Sequence, residues 1–227
     1  MTNPEDFLKS ENLPYPIWEF NYKPEKYVHT SWLKDLPNAD VILKLIAEDS
    51  RKTSTRLSHH LLSQLGFDGK FFFDFNDSLT QLALWDTSEM QKLVQHIGMM
   101  FYFDDVRRCI TRQEVASYRK ALGEELYTFA LEGAPEIKQR QLKALDLSEE
   151  LSINRKLLIT GMAVIIAGMQ DYPYALLKRM IIKLPRSWFD DYSQMVANKK
   201  NMPGGKIGNS DLTLKLMDYV KEKPDVD

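Results

Sequence analysis

The stretch from Leu157 to Met169 is apolar for 13 residues between Lys156 and Gln170, and it constrains the chain more than any other segment. A membrane span needs about 20 such residues, so the run reads as a buried helix from about Ser152 to Gln170. A helix that is apolar on all sides must be surrounded by other elements, because no face is left for water. Gly161, Ala163, Ala167 and Gly168 leave room for neighbouring backbones to approach. The chain is expected to arrange further helices around this one.

The remaining periodicities agree. Val41, Ile42, Leu45 and Ile46 repeat at helical spacing behind Asn38, a suitable N-cap residue. A second helix is expected from about Thr53 to Leu65, ended by Gly66. Asp86 and Glu89 have capping-box spacing ahead of Met90, Leu93, Val94, Ile97 and Phe101. Thr111 and Glu114 repeat the device ahead of Val115, Tyr118, Leu122, Leu126 and Phe129, in a helix stopping near Gly133 with Pro135 opening the next. Pro173 opens a further helix that Pro185 limits. One segment departs from this pattern: Phe71, Phe73 and Phe75 alternate with Phe72 and Asp74. A period of two suits a strand, so one short β-hairpin fits near residues 67–76, with its phenylalanines buried.

These readings give a mainly α fold, a single multi-helix domain in three stretches. Residues 1–37 hold five of the ten prolines and seven of the twenty-five aromatics. They read as an extended aromatic arm, with one short helix near Pro24, packed on the core. Residues 38–197 form the helical core. Residues 198–227 read as a flexible linker, with Pro203, Gly204, Gly205 and Gly208, leading to a last helix from about Asp211 to Lys221.

Known chemistries find little support. Thirty basic against thirty-two acidic residues give a net charge of -2, which offers no global field for nucleic acid or an anionic membrane. Cys109 is the only cysteine, so no intramolecular disulfide or thiolate cluster forms. The acidic first residues do not read as a signal peptide, so the cytoplasm is expected and membrane association passes through a partner. The four histidines, His29, His59, His60 and His96, lack an HExxH spacing; a metal would require folding to gather His96, Cys109 and a carboxylate. Gly204-Gly205-Lys206 lacks the Ser or Thr of a phosphate loop, having Ile207 instead. No GxSxG elbow occurs, and Asp104 is placed for helical ion pairs with Arg107 and Arg108. No catalytic residue, cofactor or metal is assigned.

One charged feature reads as a surface. On the helix after Pro173, Leu177, Met180, Ile181 and Leu184 form an apolar side, with Arg179 and Lys183 opposite, Lys178 flanking and Arg186 just past the end. Lys178, Arg179, Lys183 and Arg186, together with Arg107 and Arg108, are candidates for docking an acidic partner. The arm aromatics Trp18, Phe20, Tyr22, Tyr27 and Trp32 are a second candidate surface.

Phe20-Asn21-Tyr22-Lys23-Pro24-Glu25-Lys26-Tyr27-Val28-His29 with Ser31-Trp32-Leu33 resembles the N-terminal signature of the SctK (YscK/PscK-like) family of type III secretion systems. Gly98 with Arg107-Arg108-Cys109-Ile110 is similar to the family's central block, and Lys178 to Pro185 to its basic segment ending in Leu-Pro. The resemblance implies a mainly α-helical, non-enzymatic adaptor of the bacterial injectisome's sorting platform. It also implies a place in the cytoplasm, peripheral at the inner membrane. The implied partners are the SctD cytoplasmic domain and SctQ, and indirectly SctL and the SctN ATPase, with no nucleic acid and no membrane insertion. A secretion chaperone or regulatory module holding a secreted client is the alternative.

Overall fold

The computed structural model describes residues 13–48, 51–137, 145, 147–198 and 210–222, and no strand occurs among them. The helices are α1 (Tyr15–Tyr22), α2 (Ala39–Glu48), α3 (Arg51–Gln64), the single turn α4 (Ser78–Gln81), α5 (Thr87–Arg107) and α6 (Arg112–Thr128). There follow α7 (Ala134–Ile137), α8 (Ile153–Gly168), α9 (Tyr174–Ile181), α10 (Arg186–Asn198) and α11 (Ser210–Glu222). Turns of 3-10 helix lie at Pro24–Lys26, Thr30–Trp32 and Leu82–Leu84, and a π turn at Phe129–Gly133 follows α6. The described residues divide into two compact units, one up to Thr87 joined by Tyr172–Arg186, the other Ser88–Asp171 with the residues from Ser187 on.

In the first unit, α2, α3 and α9 enclose a core of Ile42, Leu57, Leu61, Leu62, Leu65 and Phe67 with Val28, Leu33 and Ile182. The face of α2 is narrower than its periodicity implies, since Ile42 is buried and Val41 is 56% exposed. Gly66, at φ +72°, ends α3 in the left-handed conformation glycine tolerates, and Phe67 N donates to Leu62 O at 2.7 Å across the reversal. The arm is less extended than expected. Residues 15–22 are helical, with Pro16 in the first turn, where a missing N–H leaves no bond unmade.

The hairpin expected near 67–76 does not form. Gly69 turns the chain at φ +65°, and among the described residues there is no second strand to pair with. Asn21 takes that role with its side-chain amide: its Nδ2 donates to Phe72 O at 2.6 Å and its Oδ1 accepts from Phe72 N at 2.8 Å. The period of two survives as a one-residue alternation without a ladder. Phe75 is buried, whereas Phe71 and Phe73 are 40% and 42% exposed, contrary to the expectation that all are covered.

In the second unit α8 is the central helix, burying Leu157, Ile159, Thr160, Met162, Ala163, Val164 and Ile165. Its approach to α5 depends on two glycines. A Cβ at Gly161 would lie 2.0 Å from Val94 O, and one at Gly98 would lie 2.1 Å from Leu157 O. Pairing 94 with 161 and 98 with 157 makes the crossing antiparallel, with backbone against backbone. Gly168, read as a third contact point, has nothing within 4 Å. The capping box at Thr111 and Glu114 is complete, but Gly123, at φ +77° inside α6, breaks the helix the periodicity ran through. The π turn then returns Phe129 and Ala130 to the interior.

The last helix is more than a tethered tail. Leu212, Leu216 and Met217 of α11 are buried, and the Tyr219 ring lies 4.9 Å from Phe129 and 5.9 Å from His96. The glycine-rich linker expected at 198–210, with the Gly204-Gly205-Lys206 string, lies outside the described residues apart from Asn198 and Ser210. Gly98→Ala and Gly161→Ala should each destabilise the protein by about 3 kcal/mol or more, because a carbonyl cannot yield as a side-chain end can. Gly168→Ala should stay within about 1 kcal/mol of wild type. Urea unfolding followed by helical circular dichroism measures all three.

Candidate functional site

The basic helix α9 is where the sequence placed a docking face, and burial corrects that expectation. Arg179 is 0% and Lys183 is 4% exposed. The helix has apolar neighbours on both sides, so its long cationic stems run inward and their heads meet backbone oxygens. Arg179 Nη1 donates to Phe20 O at 3.0 Å and to the Tyr27 hydroxyl at 2.7 Å, and Nη2 to Lys70 O at 3.2 Å. Its guanidinium lies 4.2 Å from the Phe67 ring centroid and 5.5 Å from that of Phe20. Among the described residues no carboxylate pairs with it; carbonyl dipoles and ring faces supply the compensation a buried charge requires.

Lys183 works the same way one turn on. Its Nζ donates to Ala83 O at 2.5 Å and Trp85 O at 2.7 Å, below the Tyr27 and Phe20 rings. Lys178 Nζ donates to Leu65 O at 2.6 Å, and burial, with the Lys70 charge, lowers its pKa. Arg186 pairs with Asp35, and its guanidinium lies 5.7 Å from the Trp32 ring. Each cation of the expected patch is thereby tied to a different segment of its own unit: the end of α3, the loop after it, the turn before α5 and the arm.

The arm answers with its own polar groups. His29 N donates to Ile182 O at 2.8 Å, and Trp32 Nε1 to Leu184 O at 2.8 Å. Lys23 Nζ donates to Ser54 Oγ at 2.8 Å, and buried Glu25 accepts from Ser54 and Ser58 at 3.0 and 2.8 Å. Trp18 and Phe20 are buried; Tyr22 is half-buried with its ring 4.8 Å from Phe71. Nothing in the hydrophobic spacing announced the Lys23–Glu25–Ser54–Ser58 cluster or the Asn21 pairing with Phe72, since both join residues some thirty to fifty positions apart.

A cleft of about 70 Å³ is lined by Glu19, Lys26, Tyr27, Trp85, Asp86 and Lys183, with both signs of charge. It is well below the size of a typical small-molecule site. Beside it, burial pushes the Tyr27 phenol up to about 12, against the opposing pull of Arg179. Among the described residues no group of three His, Cys, Asp or Glu is placed to hold a metal, and no helix is long and apolar enough to cross a membrane.

Arg107 and Arg108 are placed differently from α9. They are exposed at the end of α5, and the ion pairs expected from Asp104 do not form: no ion pair or side-chain hydrogen bond holds either guanidinium among the described residues. Ile110, just past that helix end, is 91% exposed.

Arg179→Ala should lower stability by about 3–5 kcal/mol, since it takes the donor from Lys70 O, leaves Phe20 O with the Tyr27 hydroxyl alone, and opens a cavity against the Phe67 ring. Arg107→Ala should change it by less than about 0.5 kcal/mol, both read by chemical denaturation. The native Tyr27 phenol keeps its proton above its ordinary value of 10, where the unfolded one loses it. Its contribution is therefore complete below pH 10 and is lost as pH rises towards about 12, up to about 3 kcal/mol over that window. Tyr27→Phe should flatten the alkaline limb of the stability–pH curve by close to one proton.

Comparison with known families and structures places the chain. Residues 15–218 match the family described as YOP proteins translocation protein K (YscK). No curated protein and no solved structure matched. The matched span runs from the first residue of α1 into α11 and includes the arm signature, both close-approach glycines and the buried cations of α9. With the match covering far more than half of its length, the chain belongs to the YscK family of type III secretion proteins.

Proposed function

We propose that this chain is a non-enzymatic assembly adaptor of a bacterial injectisome, acting at the cytosolic face of the inner membrane. In this reading it links the cytoplasmic domain of the ring protein SctD to the pod protein SctQ, and through SctQ to SctL and the SctN ATPase. The observation that carries the reading is the family match over residues 15–218. The geometry agrees with it: Arg179 and Lys183, which a substrate site on or just after α9 would present, are engaged on internal carbonyls.

Titration calorimetry of the purified protein against the cognate SctD cytoplasmic domain, and separately against SctQ, tests the link. Both titrations should show saturable binding, and the three proteins should co-elute from a sizing column as one complex. Binding to only one partner would leave an accessory of that partner, and binding to neither would overturn the adaptor.

A further inference from the structure

The turn between α5 and α6 in the second unit carries three arginines in six residues, Arg107, Arg108 and Arg112, around Ile110. All three arginines are exposed, and none of their guanidinium groups makes a hydrogen bond or ion pair among the described residues. Ile110 is the most exposed large apolar side chain described, at 91%. Six residues span at most about 20 Å, so the four side chains form one knob.

The knob is held in shape from within. Arg108 N donates to Asp104 O at 3.2 Å and Cys109 N to Val106 O at 3.3 Å, closing α5. Thr111 and Glu114 then open α6 by their reciprocal cap: Thr111 N and Oγ1 donate to Glu114 Oε2 at 3.2 and 2.8 Å. Those bonds hold the Glu114 carboxyl below the usual range and commit it to Thr111, so the nearest acid after Arg112 does not neutralise it. A rigid turn presenting charge and an apolar tip loses little freedom on docking.

Resting on the adaptor reading, we infer that the Arg107–Arg112 turn is a docking knob for an acidic protein surface, with Ile110 entering an apolar socket and the arginines meeting carboxylates around its rim. Guanidinium forks suit paired carboxylate oxygens, and a lone central apolar group ringed by charge is the anatomy of an interface anchor. An anionic membrane fits less well. Three cations fall short of the cluster of about four to eight that lipid headgroups require, and Asp104, Asp105 and Glu114 flank them. Nucleic acid would need a longer basic stripe.

The test uses the full chain with the cognate SctD cytoplasmic domain and SctQ as probes. Two variants are compared with wild type: Arg107→Gln/Arg108→Glu/Arg112→Glu, and Ile110→Ser. For one of the two partners the first variant should weaken binding about 100-fold, the second about 10-fold, with unchanged melting and unchanged binding of the other partner. Two measurements need no variant. Affinity for that partner should fall as NaCl is raised, and its binding should slow maleimide modification of Cys109, the chain's one cysteine and a residue of the turn, at least about 5-fold. Variants that bind both partners like wild type, with no salt dependence and no protection, overturn the knob and leave the adaptor standing. Failure of wild type to bind either partner overturns both. Loss in the variants of binding to phosphatidylserine vesicles alone overturns the protein surface in favour of a membrane.

Discussion

A fully buried guanidinium with no carboxylate partner among the described residues is the constraint on which the first unit depends. Arg179 takes its compensation from Phe20 O, Lys70 O and the Tyr27 hydroxyl, so the arm and the loop after α3 must be in place before its burial is tolerable. Lys183 and Lys178 extend the arrangement to Ala83 O, Trp85 O and Leu65 O. Segments with no regular ladder between them are thereby ordered by cations that each require a particular backbone carbonyl. The same bonds explain why an aromatic, proline-rich arm can lie against a core without β pairing.

The second unit rests on a different economy of contact. Where α8 crosses α5, two glycines let carbonyl oxygens approach to distances no side chain permits. The apolar shell of Met90, Leu93, Val94, Ile97, Leu157 and Val164 is then closed to solvent. Here adhesion comes chiefly from apolar area, with polar contacts at helix ends, as in the caps at Thr111 and Ser152, and a few inside, as between the Tyr102 and Thr160 hydroxyls at 3.3 Å. With α11 burying Leu212, Leu216 and Met217, the C-terminal segment belongs to the body of this unit. On the adaptor reading proposed above, recognition falls to groups outside these interiors, the Arg107–Arg112 turn among them.

Much of the fold was legible because helix periodicity and capping are local. The positions of α3, α5, α6 and α8 followed from apolar spacing, from Gly66 and from the Thr111–Glu114 box, each decided within a turn or two of chain. The break at Gly123 and the missing hairpin were not legible. A glycine in a helical run signals only tolerance of either conformation, and Phe71 to Phe75 alternates whether or not a second strand exists to receive it. The family resemblance rests on the motif blocks around Phe20, Arg107 and Lys178, and the matched family is the one those blocks indicate. The burial of Arg179 and Lys183 was not legible in the same way, because it depends on carbonyls distant in the chain.

Helix content, the central position of Leu157 to Met169 and membership of the family were determined by the sequence itself, since each rests on residue type and near spacing. Which charges face water was decided only by the tertiary structure. Lys178, Arg179 and Lys183 look in sequence like the solvated side of an amphipathic helix, and Arg107 and Arg108 look paired with Asp104. Folding reverses both. The energy of a charge depends on what surrounds it in space, and carbonyls up to 159 residues away in the chain, as Phe20 O is from Arg179, supply an environment no local pattern encodes.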